Sequence, residues 1–91
     1  SLTPNVYSLS QNYPNPFNPN TKIDFSIPKN SVVSIKIYDV LGKEVAVLVN
    51  KDLKIGSYTV DFNASTLTSG VYFYKITAGD YTDTKKLVLV K

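Results

Sequence analysis

The 91-residue chain contains no His, Cys, Met, Trp or Arg. Without His there is no imidazole base, no Ser-His pair and no His metal ligand. Without Cys there is no thiolate nucleophile, no zinc thiolate and no disulfide. The lack of Cys leaves the redox compartment open. Long apolar runs are also missing: the longest, Val45–Val49 and Leu87–Val90, fall far short of the ~20 residues of a membrane span. No segment matches G-x-x-x-x-G-K-[ST] or G-x-G-x-x-G, so a phosphate-cradling loop is excluded. The seven carboxylates are scattered over separate turns and polar faces, without the convergent pair a glycosidase needs. The chain is read as non-catalytic and as requiring no cofactor.

Helix formers are scarce too, with one Glu, one Gln and three Ala. Seven Tyr and four Phe, with many Val, Ile and Thr, favour strands. The net charge of +3 rests on ten Lys spread along the chain with no Arg beside them. Nucleic-acid binders concentrate Arg and Lys on one face, so no nucleic-acid partner is expected. Asp80, Asp83, Asn15, Asn18 and Asn20 offer the hard oxygen donors that calcium takes. No EF-hand spacing accompanies them, and turn residues of this kind ordinarily bond their own backbone. No metal site is expected.

Period-2 alternation predicts seven strands over Val6–Leu9, Thr21–Ile27, Val32–Tyr38, Lys43–Val49, Ser57–Phe62, Val71–Thr77 and Thr82–Val90. Val45, Val47 and Val49 are placed on one face of the fourth, and Lys51–Gly56 is read as a longer connection. Gly79-Asp80 reads as a two-residue type II′ hairpin turn. Seven short antiparallel strands at roughly ten-residue spacing predict an all-β, immunoglobulin-like Greek-key sandwich. One domain over residues 1–91 is expected, excised from a larger secreted protein because it opens on Ser1 rather than Met. The ending at Lys91 directly after a strand suggests a true C-terminus.

Three segments stand out. Leu67, Gly70 and Tyr72 form L-x-x-G-x-Y at the start of the sixth strand, the pattern of a tyrosine corner. Asn12–Asn20 carries Pro14, Pro16 and Pro19, which forbid a regular ladder and fix an extended path. Pinned by Tyr13 and Phe17, that path is either a rigid crossover or a preformed recognition strip. The last hairpin pairs Ala78 with Tyr81, Tyr72 with Leu87 and Val71 with Val88. Tyr72, Tyr74, Leu87 and Leu89 then face the core, and Val71, Phe73, Val88 and Val90 face outward. Lys85 falls opposite Tyr74, which requires either snorkelling at the rim or a bulge. The outer apolar group is either covered by neighbours or a partner site. As a terminal strand, the last one is also an open pairing edge.

The run Asn12–Thr21, the strand Val33–Val45 with Ile37-Tyr38-Asp39-Val40-Leu41-Gly42-Lys43-Glu44-Val45, the Leu67–Tyr72 corner and the ending Lys86–Lys91 occur in that order. Together they resemble the C-terminal sorting domain of the type IX (Por) secretion system. An Ig-like domain of flagellar hook-capping proteins shares part of the pattern. The resemblance implies a secretion signal on diverse cargo of Bacteroidetes-type bacteria, which reaches the periplasm by a separate N-terminal signal. An outer-membrane translocon and shuttle proteins then recognise it, and a sortase-like cysteine protease removes it upstream of its first strand. The cargo stays at the cell surface, often on lipopolysaccharide, or is secreted. Carried over by position, Pro14, Asn15, Pro16 and Phe17 match the family's Pro-Asn-Pro region. Gly70 and Tyr72 match its Gly-x-Tyr region, and Lys86, Leu87, Val88, Leu89, Val90 and Lys91 its terminal Lys-rich strand. These residues and Phe73 are the expected partner contacts. The alternative from another class is a glycan-binding or adhesive module that stacks sugars on Phe73 or Tyr81.

Overall fold

In the computed structural model, which describes residues 4–91, the alternation resolves into seven antiparallel strands. They are β1 (Ser8–Leu9), β2 (Asn20–Ile27), β3 (Ser31–Tyr38), β4 (Glu44–Leu53), β5 (Gly56–Asn63), β6 (Gly70–Ala78) and β7 (Tyr81–Leu89). One sheet has the order β1-β2-β5 and the other β4-β3-β6-β7. The described residues contain no helix. This is the expected immunoglobulin-like sandwich; the part of the expected 1–91 domain before Pro4 lies outside the described residues.

The core lies between the sheets because each strand sends every second side chain inward. Ile23, Phe25 and Ile27 of β2 meet Val33, Ile35 and Ile37 of β3, with Tyr74 and Ile76 of β6 and Leu87 and Leu89 of β7, all buried. Each such side chain contributes roughly 1.5–3 kcal/mol on burial. The β6–β7 register matches the expected one throughout, from Ala78 opposite Tyr81 to Val71 opposite Val88. No bulge interrupts it, so Lys85 stands opposite Tyr74, half-buried at the rim. Gly79 has φ +59 while, among the described residues, no other residue type takes positive φ, as a type II′ turn at Gly79-Asp80 requires.

Two strands depart from the simple alternation. β4 runs on to Leu53, so the connection to β5 is Lys54-Ile55 alone rather than Lys51–Gly56. Its register also slips twice. Ile35 faces Val49 but Lys36 faces Val47, leaving Leu48 extra; Ile37 faces Ala46 but Tyr38 faces Glu44, leaving Val45 extra. Each bulge inverts the phase, so Val47 is exposed while Val45, Ala46 and Leu48 pack on the core. Val45, Val47 and Val49 therefore do not share a face. β4 is an edge strand, and bulges there discourage pairing with another chain. β1 is shorter than the expected Val6–Leu9. Val6 is exposed, and the Tyr7 ring leaves the sheet to stack on Tyr81, 5.0 Å away and 8° from parallel.

Candidate functional site

The proline segment begins at a buried polar knot. The Tyr74 hydroxyl, reaching across from β6, accepts the Asn12 N–H (2.8 Å) and donates to the Ser10 carbonyl (2.6 Å). The Asn12 side-chain amide donates to the Pro14 carbonyl (3.1 Å) and to the Thr21 hydroxyl (3.0 Å), which itself donates to Pro14 (2.8 Å). Asn12 and Thr21 are both 2% exposed, so these bonds replace those lost to water. Burial pushes the Tyr74 hydroxyl up to about 12, with Asp83 adding to the rise and the Asn12 bond opposing it.

From there the strip crosses between sheets. Tyr13 exchanges backbone hydrogen bonds with Lys22 of β2 (2.9 and 3.0 Å). Pro14, Pro16 and Pro19 have no N–H to offer, so pairing falls to the residues between them. Phe17 bridges to Leu89 in parallel: its N–H donates to the Val88 carbonyl (3.0 Å) and its carbonyl accepts the Val90 N–H (2.9 Å). Asn15 Oδ1 accepts the Val88 N–H (3.0 Å), and Gln11 Nε2 donates to the Lys86 carbonyl (2.6 Å). The edge of β7 is thus covered from Lys86 to Val90, where an open pairing edge was expected. The Phe17 ring is 2% exposed, with its centroid 5.9 Å from that of Phe62.

The corner meets the same end of the molecule. The Tyr72 hydroxyl donates to the Thr68 carbonyl (2.7 Å), closing the tyrosine corner. Gly70 takes φ +153, a value that strains L side chains even though a Cβ there would meet open space. Lys91 joins this loop to the last strand: its N–H donates to the Ser69 hydroxyl (3.0 Å) and its ammonium to the Ser65 carbonyl (2.8 Å).

The residues expected to contact partners therefore divide. Phe17, Tyr72, Leu87 and Leu89 are buried and shape the surface from below. Pro14, Asn15, Pro16, Gly70, Lys86, Val90 and Lys91 are exposed, and Phe73 and Val88 half-exposed, on the outside. Tyr81 is half-buried under Tyr7, so one ring face is already occupied. Of the oxygen donors considered for calcium, Asp83 accepts the Thr84 N–H (2.8 Å) and Asn15 is engaged by Val88.

The β3–β4 turn adds two residues that alternation does not single out. Asp39 Oδ1 accepts the N–H groups of Leu41 (2.9 Å) and Lys43 (3.0 Å), and the Asp39 carbonyl accepts Gly42 N–H (3.0 Å). Gly42 supplies φ +84. This fixed turn holds Val40 67% and Leu41 90% exposed. The sequence signal was an Asp three residues before a Gly, with apolar residues where turns usually carry polar ones.

A model of the secretion system C-terminal sorting domain family matches residues 11–91. The chain belongs to this family. A search of curated proteins finds no match. The matched stretch opens at Gln11, one residue before the strip, and spans both partners of the Phe17–Leu89 pairing. Type IX sorting domains are signals for export across the outer membrane by the type IX machinery, attached to a cargo, and are generally non-catalytic.

Proposed function

We propose that this sorting domain is read as a folded object, through the exposed residues of the proline strip and of the last strand. The strip and strand form a single surface because Phe17 and Leu89 pair beneath it. That pairing is the observation that carries the reading. Pro14, Asn15 and Pro16 line one side; Lys86, Val88, Val90 and Lys91 line the other. Its rigidity lowers the entropy lost on docking. The readers are the outer-membrane translocon and its shuttle proteins, met by the cargo in the periplasm. A sortase-like cysteine protease then cuts upstream of the first strand, leaving the cargo at the cell surface or released.

The supporting experiment is a reporter fused ahead of the domain. In a host with the translocon the reporter reaches the surface or medium; in the same host lacking the translocon it stays in the periplasm. Equal release from both hosts counts against the reading. Removing Lys86–Lys91 is a poor test, because it strips the fully buried Leu87 and the nearly buried Leu89 from the core.

A further inference from the structure

The two outer faces of the sandwich differ in kind. On the β1-β2-β5 sheet the outward side chains are polar and net acidic, with one Lys against two Asp: Lys22 pairs with Asp61 (2.8 Å) and Thr59 donates to Asp24 (2.6 Å). On the other sheet Tyr38 stands opposite Phe73 and Phe73 opposite Lys86, with Val71 opposite Val88 alongside. In the next outward row Lys36 stands opposite Lys75. Like charges set directly across a ladder destabilise it. The carboxylates of this face, Glu44 and Asp52, lie on the edge strand β4, and Glu44 reaches Lys36 at 3.3 Å. Lys75 and Lys86 have no carboxylate opposite them in the register, their β7 and β6 neighbours being Thr84 and Phe73.

An aromatic centre rimmed by cations, two of them set opposite each other in the register, is the pattern of a recognition surface rather than of a solvated face. We propose that this face, around Lys36, Tyr38, Phe73, Lys75 and Lys86, docks an acidic protein segment. Tyr38 and Phe73 pack on its apolar side chains, and the lysines meet the carboxylates that flank them. Charge complementarity selects an acidic partner over a second copy of this chain, whose face carries the same lysines. The inference deepens the reading of the domain as a folded address. Its test is made on the purified chain, so it fails separately from export.

The probe is a synthetic peptide with Leu-Phe-Leu between pairs of Glu, titrated into the 15N-labelled chain at low salt. The expected shifts map to Lys36, Tyr38, Phe73, Lys75, Lys86 and Val88, and added salt weakens the binding. Lys36→Glu with Lys75→Glu weakens it about tenfold or more, and Phe73→Ala by about tenfold. Lys75→Glu alone gives the decisive pairing of effects: weaker peptide binding with an unchanged or raised melting temperature, since it replaces a like-charge pair with an opposite one. Shifts mapping to Asp24, Thr59 and Asp61, or no saturable shifts, overturn the proposal. So does undiminished binding by the charge-reversed chain. A sulfated polysaccharide that shifts the same residues at lower concentration than the peptide also overturns it, assigning the face to a glycan.

Discussion

Phe17 and Leu89, from opposite ends of the chain, are joined by a single parallel bridge, and the Phe17 backbone bonds Val88 and Val90 on either side of its partner. The contact converts a proline-broken segment into the cover of a sheet edge. Replacing Phe17 with Ala leaves a cavity against Phe62 and loosens that cover. The expected loss is about 3–5 kcal/mol in urea unfolding. Exposed Pro16 has no such packing, and Pro16→Ser is expected to cost well under half as much.

Tyr74 binds the opening of the strip to β6, and Tyr74→Phe leaves the Asn12 N–H and the Ser10 carbonyl unpaired. A loss of about 2–3 kcal/mol is expected. The hydroxyl also makes stability depend on alkaline pH. Its folded value, about 12, lies above the ordinary 10.0, so the unfolded chain ionises first. The contribution is whole below pH 10 and is lost as pH rises toward 12. Tyr81, raised by burial and by Asp83, and Lys22, raised by Asp61, act in the same direction. Thermal melts across this range are therefore expected to fall more steeply in the parent than in Tyr74→Phe, with some slope remaining in the variant.

The tyrosine corner offers a narrower test. Tyr72→Phe removes the hydrogen bond to the Thr68 carbonyl and a longer contact with the Thr68 hydroxyl (3.4 Å), and keeps the ring in the core. About 1–1.5 kcal/mol is expected. Chemical denaturation should show this with no change in the slope against denaturant.

Leu41 separates recognition from folding. It is held at the turn tip by Asp39 and touches no core cluster. Leu41→Ser is expected to change stability by less than about 0.5 kcal/mol. Export of a fused reporter is expected to drop while the melt is unchanged; export at the parent level leaves the tip out of the recognised surface.

Much of the fold is legible in the sequence. The β6–β7 register followed from the turn at Gly79-Asp80, since a two-residue turn leaves no freedom in the pairing. The corner followed from L-x-x-G-x-Y. The misses share a cause. The β4 bulges are invisible because Val45, Ala46, Val47, Leu48 and Val49 are all apolar, so the sequence carries no phase to read. Alternation also says nothing of contacts between distant segments. It identified Phe17 as a pin but not the edge it pins to, and missed that Asn15 and Gln11 satisfy β7 through side chains.

The central claim is that a folded surface, not a linear tail, is read. The direct measurement is reporter export in a translocon-bearing host for two variants, with melts of both. The first, Pro14→Ser, Pro16→Ser, Lys86→Glu and Val90→Ser, changes exposed positions and leaves the core intact. The second, Phe17→Ala with Tyr74→Phe, keeps those positions and dismantles what holds them. Loss of export in both, with the first still melting cooperatively, is the expected result. Parent-level export by either one contradicts the account.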